Sequence, residues 1–454
     1  MKNTDVLVIG GSAAGLAAAL ASKSHYSEKS VTMVRMEEKV AIPCGIPYIF
    51  GSLEDTYQDT LPDAGLINCS VEIVVDEVNT IDGKEKTANL ASGEIIGYDK
   101  LIIATGSKPV IPGWLKGADL DNVYTVPKNL VYLDAMKKKL ENLNDIVVVG
   151  AGFIGIEMSD ELKKAGKNVT LVELQPNVLP LAFDPDLAQE AETILVDHGV
   201  KVLTGHGVKE IKGAGKVGSV RVAAGDKEEE LKADAVILSM GYAPNVELSK
   251  SLDVTFNRDG FIKVDEYMRT DHPDVFAVGD CAEKRDFFTR KRSKAMLASI
   301  ACAEGRVAGM NLYKLSTLKT IGGTIAIFST ALNGTGFGAA GLTETVAREE
   351  GFDIITGSFT GVDRHPGILN NPHKQIVKLI AGRENGVILG GEVVGGASAG
   401  ELINIICFII QNKMNVNELM TSQIGTHPLL TASPAAYPLI KAAEVIAKEF
   451  WKNC

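Results

Sequence analysis

Two short glycine clusters, each set between an apolar run and a helical pattern, constrain this chain more than anything else in it. Residues 5 to 9 (DVLVI) form the continuous apolar run of a strand buried on both faces. Gly10-Gly11-Ser12-Ala13-Ala14-Gly15 follows as a tight turn, Leu16 to Ser22 as a helix packed close to a sheet, and residues 31 to 34 (VTMV) as the next parallel strand. The same order returns at 146 to 173: IVVV, then Gly150-Ala151-Gly152-Phe153-Ile154-Gly155, then a helix through IEMSDELKKAG, then VTLVE. The second turn matches the GxGxxG pattern in full, while in the first Ser12 replaces the middle glycine. A side chain that small still lets a pyrophosphate reach the amides of the helix N-terminus, where open N–H groups and the dipole favour an anion. One such turn is weak information; two, about 140 residues apart, imply two bound dinucleotides.

The second unit also indicates which nucleotide it takes. Glu173 closes the strand after GAGFIG, where its carboxylate can accept from both ribose hydroxyls and would repel a 2′-phosphate. Leu174-Gln175-Pro176-Asn177 offers no basic residue to hold that phosphate, so NADH is favoured over NADPH. The first unit runs Val34-Arg35-Met36-Glu37-Glu38, with Arg35 where a glutamate is usual. Glu37 or Glu38 then either reaches the ribose or is a solvated surface group.

Tyr98 to Pro109 (YDKLIIATGSKP) reads as a strand ending in Thr-Gly, and Asp274 to Ala282 (DVFAVGDCA) as one ending in Gly-Asp. Pro109 and Pro112 mark an exit from the first domain, and Gly241-Tyr242-Ala243-Pro244 a return to it. Beyond residue 319 the pattern changes to strands such as IVKLI (376 to 380) and an amphipathic helix at 401 to 412. The predicted fold is α/β, with two Rossmann-like dinucleotide-binding domains, 1–112 with 245–318 and then 113–244, plus a C-terminal α+β domain, 319–454.

Composition removes other classes. With 57 acidic and 46 basic residues the formal charge is −11, and the only basic runs are Lys137 to Lys139 and Arg290 to Arg292, read as solvated faces. Nucleic acid is therefore not an expected partner. Val6 to Ala21 is apolar, but Asp5 and the glycines mark strand-turn-helix rather than a signal peptide. Leu402 to Ile410 is far short of the ~20 residues that span a bilayer. Six cysteines (44, 69, 281, 302, 407 and 454), with no CxxC, read as a reduced, cytoplasmic protein without a disulfide framework.

Taken in order, GGSAAG, ATG at 104 to 106, GAGFIG with Glu173, GYAPN at 241 to 245 and VGD at 278 to 280 resemble the FAD- and pyridine-nucleotide-dependent disulfide oxidoreductases over essentially the whole chain. The resemblance implies that FAD is held by Gly10, Ser12, Ala13, Ala14 and Gly15, with Arg35, Glu37, Pro43, Val78, Gly241 and Gly279 completing the set. Thr105 and Gly106 would close over the flavin nucleotide and Asp280 would hydrogen-bond the ribityl chain. NADH would take Gly150, Gly152, Ile154, Gly155 and Glu173, with Phe153 as an aromatic gate over the flavin and Glu157 near the nicotinamide. The C-terminal domain would be a dimerisation domain, making a homodimer. No metal is required.

The sharpest local feature is Pro43-Cys44-Gly45-Ile46-Pro47-Tyr48. Dithiol members of the family carry a second cysteine at the position that is Ile49 here, so the chain resembles the single-cysteine branch: coenzyme A disulfide reductases, NADH-dependent persulfide or polysulfide reductases, and NADH oxidases and peroxidases. A cysteine at a helix start beside a flavin is expected to be a thiolate, the nucleophilic form. The other five cysteines read as buried, inert thiols. Ala13 stands where the oxidases and peroxidases carry a histidine. Arg364-His365-Pro366-Gly367 stands where coenzyme A disulfide reductases show Tyr-Tyr-Pro-Gly. His427, in GTHPLL, and Tyr437 resemble groups that reach the partner subunit's active site, so each is either catalytic or dimer packing; if catalytic, the site needs two chains. The expected function is NADH-driven reduction of a small disulfide, persulfide or polysulfide through Cys44. The alternatives are an NADH oxidase cycling through a Cys44 sulfenic acid, and a flavin-bearing redox sensor, against which the intact second unit argues.

Overall fold

The structure, a computed structural model, describes residues 1–319, 322–369 and 371–452. The run DVLVI lies in the strand Lys2–Ile9, which pairs in parallel with Val31–Arg35 on one side and Ile95–Ile103 on the other. Glu72–Val75 extends the sheet beyond Val31–Arg35. The far side of Ile95–Ile103 is shared: residues 95 to 97 pair antiparallel with Thr87–Leu90, and residues 101 to 103 pair in parallel with Val275–Ala277. Every residue of Val31–Arg35 is buried, as expected of a parallel strand covered on both faces.

The helix Ala13–His25 packs along the helix Ala298–Met310. A Cβ at Gly305 would lie 2.5 Å from the Ala14 oxygen and one at Gly309 2.7 Å from the Ala18 oxygen, so the two backbones touch. Buried Ala18, Ala301 and Ala308 allow that approach. The exit and return segments are joined as well: Ser107–Pro109 pairs antiparallel with Tyr242–Pro244.

The second glycine unit repeats the pattern, with Asp145–Val149, Asn168–Val172 and Lys201–Leu203 parallel and the helix Phe153–Lys164 between the first two. A three-stranded antiparallel sheet, residues 207 to 232, follows. The C-terminal sheet runs in the order 327–332, 335–341, 388–395, 374–382, 354–362, antiparallel throughout. Helices Ala399–Gln411 and Pro438–Lys452 pack on it and seal its core around Val377, Leu379, Ile406 and Ile446.

By contact the chain gathers into two units: Met1–Asn144, Ile237–Arg285 and Lys291–Thr324; and Asp145–Val236, Asp286–Arg290 and Ile325 onward. By contact residues 113 to 144 gather with the first unit. Polar ties link them to it. Lys137 Nζ donates to the Leu53 and Glu54 carbonyls, Lys128 Nζ donates to Asp280, and the Tyr242 hydroxyl donates to the Val126 carbonyl.

Candidate active site

At the first turn, Gly10 adopts φ +115° and a Cβ there would lie 2.1 Å from the Ala104 oxygen; one at Gly15 would lie 1.9 Å from the Gly10 oxygen. Glycine is the only residue that fits either place. Ser12 starts the helix without a side-chain cap, and no acidic residue occupies the first turn, which contains Ala13 and Ala14. The first N–H groups are thus open to an anion. Gly279, at φ +74°, closes on this turn, its Cβ position 2.8 Å from Ala14 Cβ.

Arg35 runs beneath Gly11, with Cδ 2.6 Å from that residue's Cβ position. Its guanidinium binds both oxygens of Asp63, at 2.6 and 2.7 Å, and the Glu38 carbonyl at 2.8 Å, while the buried Nε has no partner among the described residues. Asp63, absent from the sequence reading, neutralises the arginine, which in turn holds the Asp63 carboxyl below its usual range. Glu37 is half-buried, and burial raises its carboxyl pKa.

ATG and GYAPN are bound to each other. Thr105 Oγ1 donates to the Asn245 carbonyl, the Asn245 N–H donates to the Gly106 carbonyl at 2.8 Å, and Gly106 and Gly241 adopt φ +70° and +96°. Asp280 lies in the short 3₁₀ turn Gly279–Cys281. Its Oδ2 accepts from Ser107 Oγ and Lys128 Nζ, each at 2.7 Å. Burial pushes this carboxyl up, but Lys128 and Ser107 outweigh it and hold the group below the usual carboxylate range. Val78 is half-buried at the start of the strand Val78–Asp82. Open helix amides, a close-approach glycine turn and an anionic hydroxyl acceptor fit a large dinucleotide.

In the second unit Gly150 adopts φ +98°, and Gly152 starts its helix with no side-chain cap and no acidic first-turn residue. Glu173 is 9% exposed; one oxygen accepts the Ala151 N–H at 2.6 Å and the other the Gln175 N–H at 2.8 Å. Each oxygen keeps a lone pair for a ribose hydroxyl. Phe153 stacks on Phe328 with centroids 4.9 Å apart, Ile154 is half-buried beside it, and Gly155 is buried. Glu157 accepts from Thr330 Oγ1, and burial lifts its carboxyl to about 7.

Cys44 is exposed in a turn that also contains half-buried Pro43, closed by the Gly45 N–H to the Ile42 carbonyl. The helix expected after it is a five-residue 3₁₀ segment, Ile46–Phe50, opened by the i→i+3 bond from the Tyr48 N–H to the Gly45 carbonyl at 3.0 Å. Ile49 is fully buried. Cys281 and Cys407 are buried and Cys302 partly so; Cys69 corrects the expectation, being exposed at the end of the short helix Ala64–Asn68. Cys454 lies outside the described residues. His427 is exposed, with Nδ1 accepting the Leu429 N–H, and Tyr437 is half-buried, its phenol pKa raised by burial. Both belong to the second unit, whereas Cys44 belongs to the first.

The family described as pyridine nucleotide-disulphide oxidoreductase matches residues 4–305, and its dimerisation domain matches residues 327–436. The chain belongs to this family. An NADH oxidase of Methanocaldococcus jannaschii is 31% identical, covering 98% of each chain. An NAD(P)H coenzyme A polysulfide/persulfide reductase of Pyrococcus horikoshii is 32% identical over 97% of this chain and 98% of that one. The solved NAD-dependent persulfide reductase of A. fulgidus superposes with TM-score 0.87 at 29% identity, over 98% of this chain and 83% of that one. As a pyridine nucleotide-disulphide oxidoreductase the protein is a flavoprotein enzyme that uses FAD and NADH, with two Rossmann-like units and a dimerisation domain. Among the described residues no helix is long and apolar enough to cross a membrane.

Proposed function

We propose that the protein reduces a small disulfide, persulfide or polysulfide with electrons from NADH, working through Cys44. The observation that carries this reading is one exposed cysteine in a tight turn, with a fully buried isoleucine at the place where a resolving cysteine would stand. FAD, when bound, relays the electron pair of NADH to sulfur. The first unit's glycine turn, with Gly10, Ser12 and Gly15, offers its open amides to the pyrophosphate, and Asp280, kept anionic by Lys128, accepts from a polyol hydroxyl. The second unit's Gly150, Gly152 and Gly155 do the same for NADH, and Glu173 takes its ribose hydroxyls.

Cys44, as thiolate, attacks a sulfur–sulfur bond; the Cys44–S bond forms, the substrate bond breaks, and one thiolate or sulfide leaves and takes a proton. Two electrons and one further proton then cleave the Cys44–S bond, regenerate the thiolate and release the second thiol. The dimerisation domain brings two chains together, and we assign His427 or Tyr437 of one chain as proton donor at the Cys44 site of the other. Phe408, Leu429 and Leu430, exposed in that domain, supply apolar surface for the second copy. A reducing cytoplasm suits such a thiolate.

The test is Cys44→Ser. The variant is expected to retain FAD and to have its flavin bleached by NADH at an undiminished rate, while disulfide and persulfide reduction fall at least about a hundredfold. Full sulfur reduction by this variant would refute the mechanism. The M. jannaschii relative's name favours a second reading, oxygen reduction through a Cys44 sulfenic acid; stoichiometric oxygen uptake that forms water and disappears in Cys44→Ser would establish it. Ala13, which replaces the histidine of the resembling oxidases and peroxidases, weighs against it.

A further inference from the structure

Against Gly45, the residue that follows Cys44, lies a carboxyl group that the mechanism above does not use. A Cβ on Gly45 would fall 1.9 Å from Asp59 Oδ1, so the carboxyl rests against the backbone of the residue that follows the cysteine. The two segments are pinned together: the Ile42 N–H donates to the Asp59 carbonyl at 3.2 Å, the Leu61 N–H to the Val40 carbonyl at 2.8 Å, and Ala41 bridges Thr60. Asp59 is only 3% exposed, and its Oδ2 has no hydrogen-bond partner among the described residues.

The charged and titratable groups on the surrounding elements are otherwise engaged. Arg35 binds Asp63, Lys138 binds Asp134, Lys137 donates to the Leu53 and Glu54 carbonyls, and Lys39 lies over the Tyr57 ring, next to which Asp55 caps the 3₁₀ turn Thr56–Gln58. Tyr48 and Cys44 sit on the turn itself. No salt bridge joins Asp59 to a cation among the described residues. Burial alone lifts its carboxyl to about 7, so it can carry a proton at neutral pH.

We propose that Asp59 is a positioning residue for Cys44: the carboxyl and the thiol hold one acidic proton between them, Asp59 remaining neutral while Cys44 is a thiolate and ionising once the sulfur is capped. This rests on Cys44 being the reactive sulfur. With the carboxyl seated against the residue next to the cysteine, two anions there would disfavour each other, so ionisation of either raises the pKa of the other. Capping Cys44 as a mixed disulfide removes one of those charges and frees Asp59 to release its proton to solvent, while regeneration of the thiolate draws it back.

The test follows alkylation of Cys44 by iodoacetamide in the FAD-loaded enzyme, from mildly acid to mildly alkaline pH, with the Cys44 peptide quantified by mass spectrometry. Wild type is expected to show a broad, two-step profile; Asp59→Asn is expected to show a single step with its midpoint about one pH unit lower. Superposable profiles overturn the proposal. Should Asp59→Asn not fold, infrared difference spectra of wild type supply the measurement. Capping Cys44 at neutral pH should diminish the protonated-carboxyl C=O band, with Cys44→Ser as blank, and an unchanged band overturns the proposal. Sulfur reduction by Cys44→Ser reports separately on the Cys44 mechanism, because the alkylation profile reads the Cys44–Asp59 coupling whether or not that reduction depends on Cys44.

Discussion

Glu173 fastens the Ala151 and Gln175 amides with its two oxygens, which fixes the glycine turn against the following loop. Each oxygen keeps a lone pair, and the proposed function gives these to the ribose hydroxyls. Glu173→Ala removes both the acceptors and the charge that repels a 2′-phosphate. The expected result is a KM for NADH raised about tenfold with kcat within about twofold, since ribose contacts bind ground and transition states alike. The KM for NADPH should stay level or fall. Steady-state kinetics with both nucleotides check this, and an unchanged KM ratio would take Glu173 out of the ribose site. Glu173 was visible in the sequence because its place relative to GAGFIG is local. Lys128, Asp63 and Asp59 were not: Lys128 meets Asp280 across 152 positions and Arg35 meets Asp63 across 28, and such pairings leave no local pattern to read.

The helix Ala13–His25 starts at the first glycine turn and packs on the helix Ala298–Met310 through Gly305 and Gly309. A side chain at Gly309 would meet the Ala18 oxygen at 2.7 Å, Ala21 Cβ at 2.8 Å and the Ser22 nitrogen at 2.9 Å, none of them the end of a flexible group. Gly309→Val should therefore push the helices apart at a cost of about 1–3 kcal/mol or more. The expected readouts are a lower thermal midpoint and loss of FAD on gel filtration, because the displaced helix takes the turn with it; retention of both would show that the contact is slack. The nucleotide-binding strands were legible because burial on both faces writes itself as unbroken apolar runs, as in IVVV and VTMV. The strand Lys227–Lys232 was not, since KEEELK keeps every residue but Leu231 exposed and shows no apolar face. The 3₁₀ segment after Cys44 escaped for another reason: in five residues no period can be distinguished.

The chain is acidic overall, and its second unit gathers four carboxylates, those of Asp184 and Glu392 buried, around one lysine. Lys378, on the C-terminal sheet, lies 3.1 Å from Asp184, 3.1 Å from Asp186 and 3.2 Å from Glu344, while Glu392 accepts the Asp184 N–H at 2.6 Å. Asp184, Asp186 and Glu392 are close enough to share a metal ion, but the lysine ammonium already supplies a cation to them. Burial opposes the Asp184 charge, yet Thr345, two backbone N–H groups and Lys378 win and lower its pKa, so its stabilisation holds above the unfolded value and is lost only in acid. Burial likewise opposes the Lys378 charge, but the surrounding carboxylates raise its pKa, so its stabilisation is complete below the unfolded value and is lost only in strong alkali. Glu392 behaves oppositely to Asp184. Burial first, and then the Asp184 charge, lift it to about 8, because one lysine cannot neutralise another anion beside the carboxylates it already holds. A carboxyl raised in this way stabilises the fold fully below its unfolded pKa of about 4.5, and that contribution is lost as pH rises towards 8. Glu392→Gln keeps an oxygen for the Asp184 N–H and never ionises. Relative to wild type it should gain on the order of a few kcal/mol between pH 5 and pH 8. Thermal melts across that window check this: the wild-type midpoint should decline towards pH 8 more steeply than that of Glu392→Gln, and parallel curves would mean that Glu392 is already ionised at pH 5.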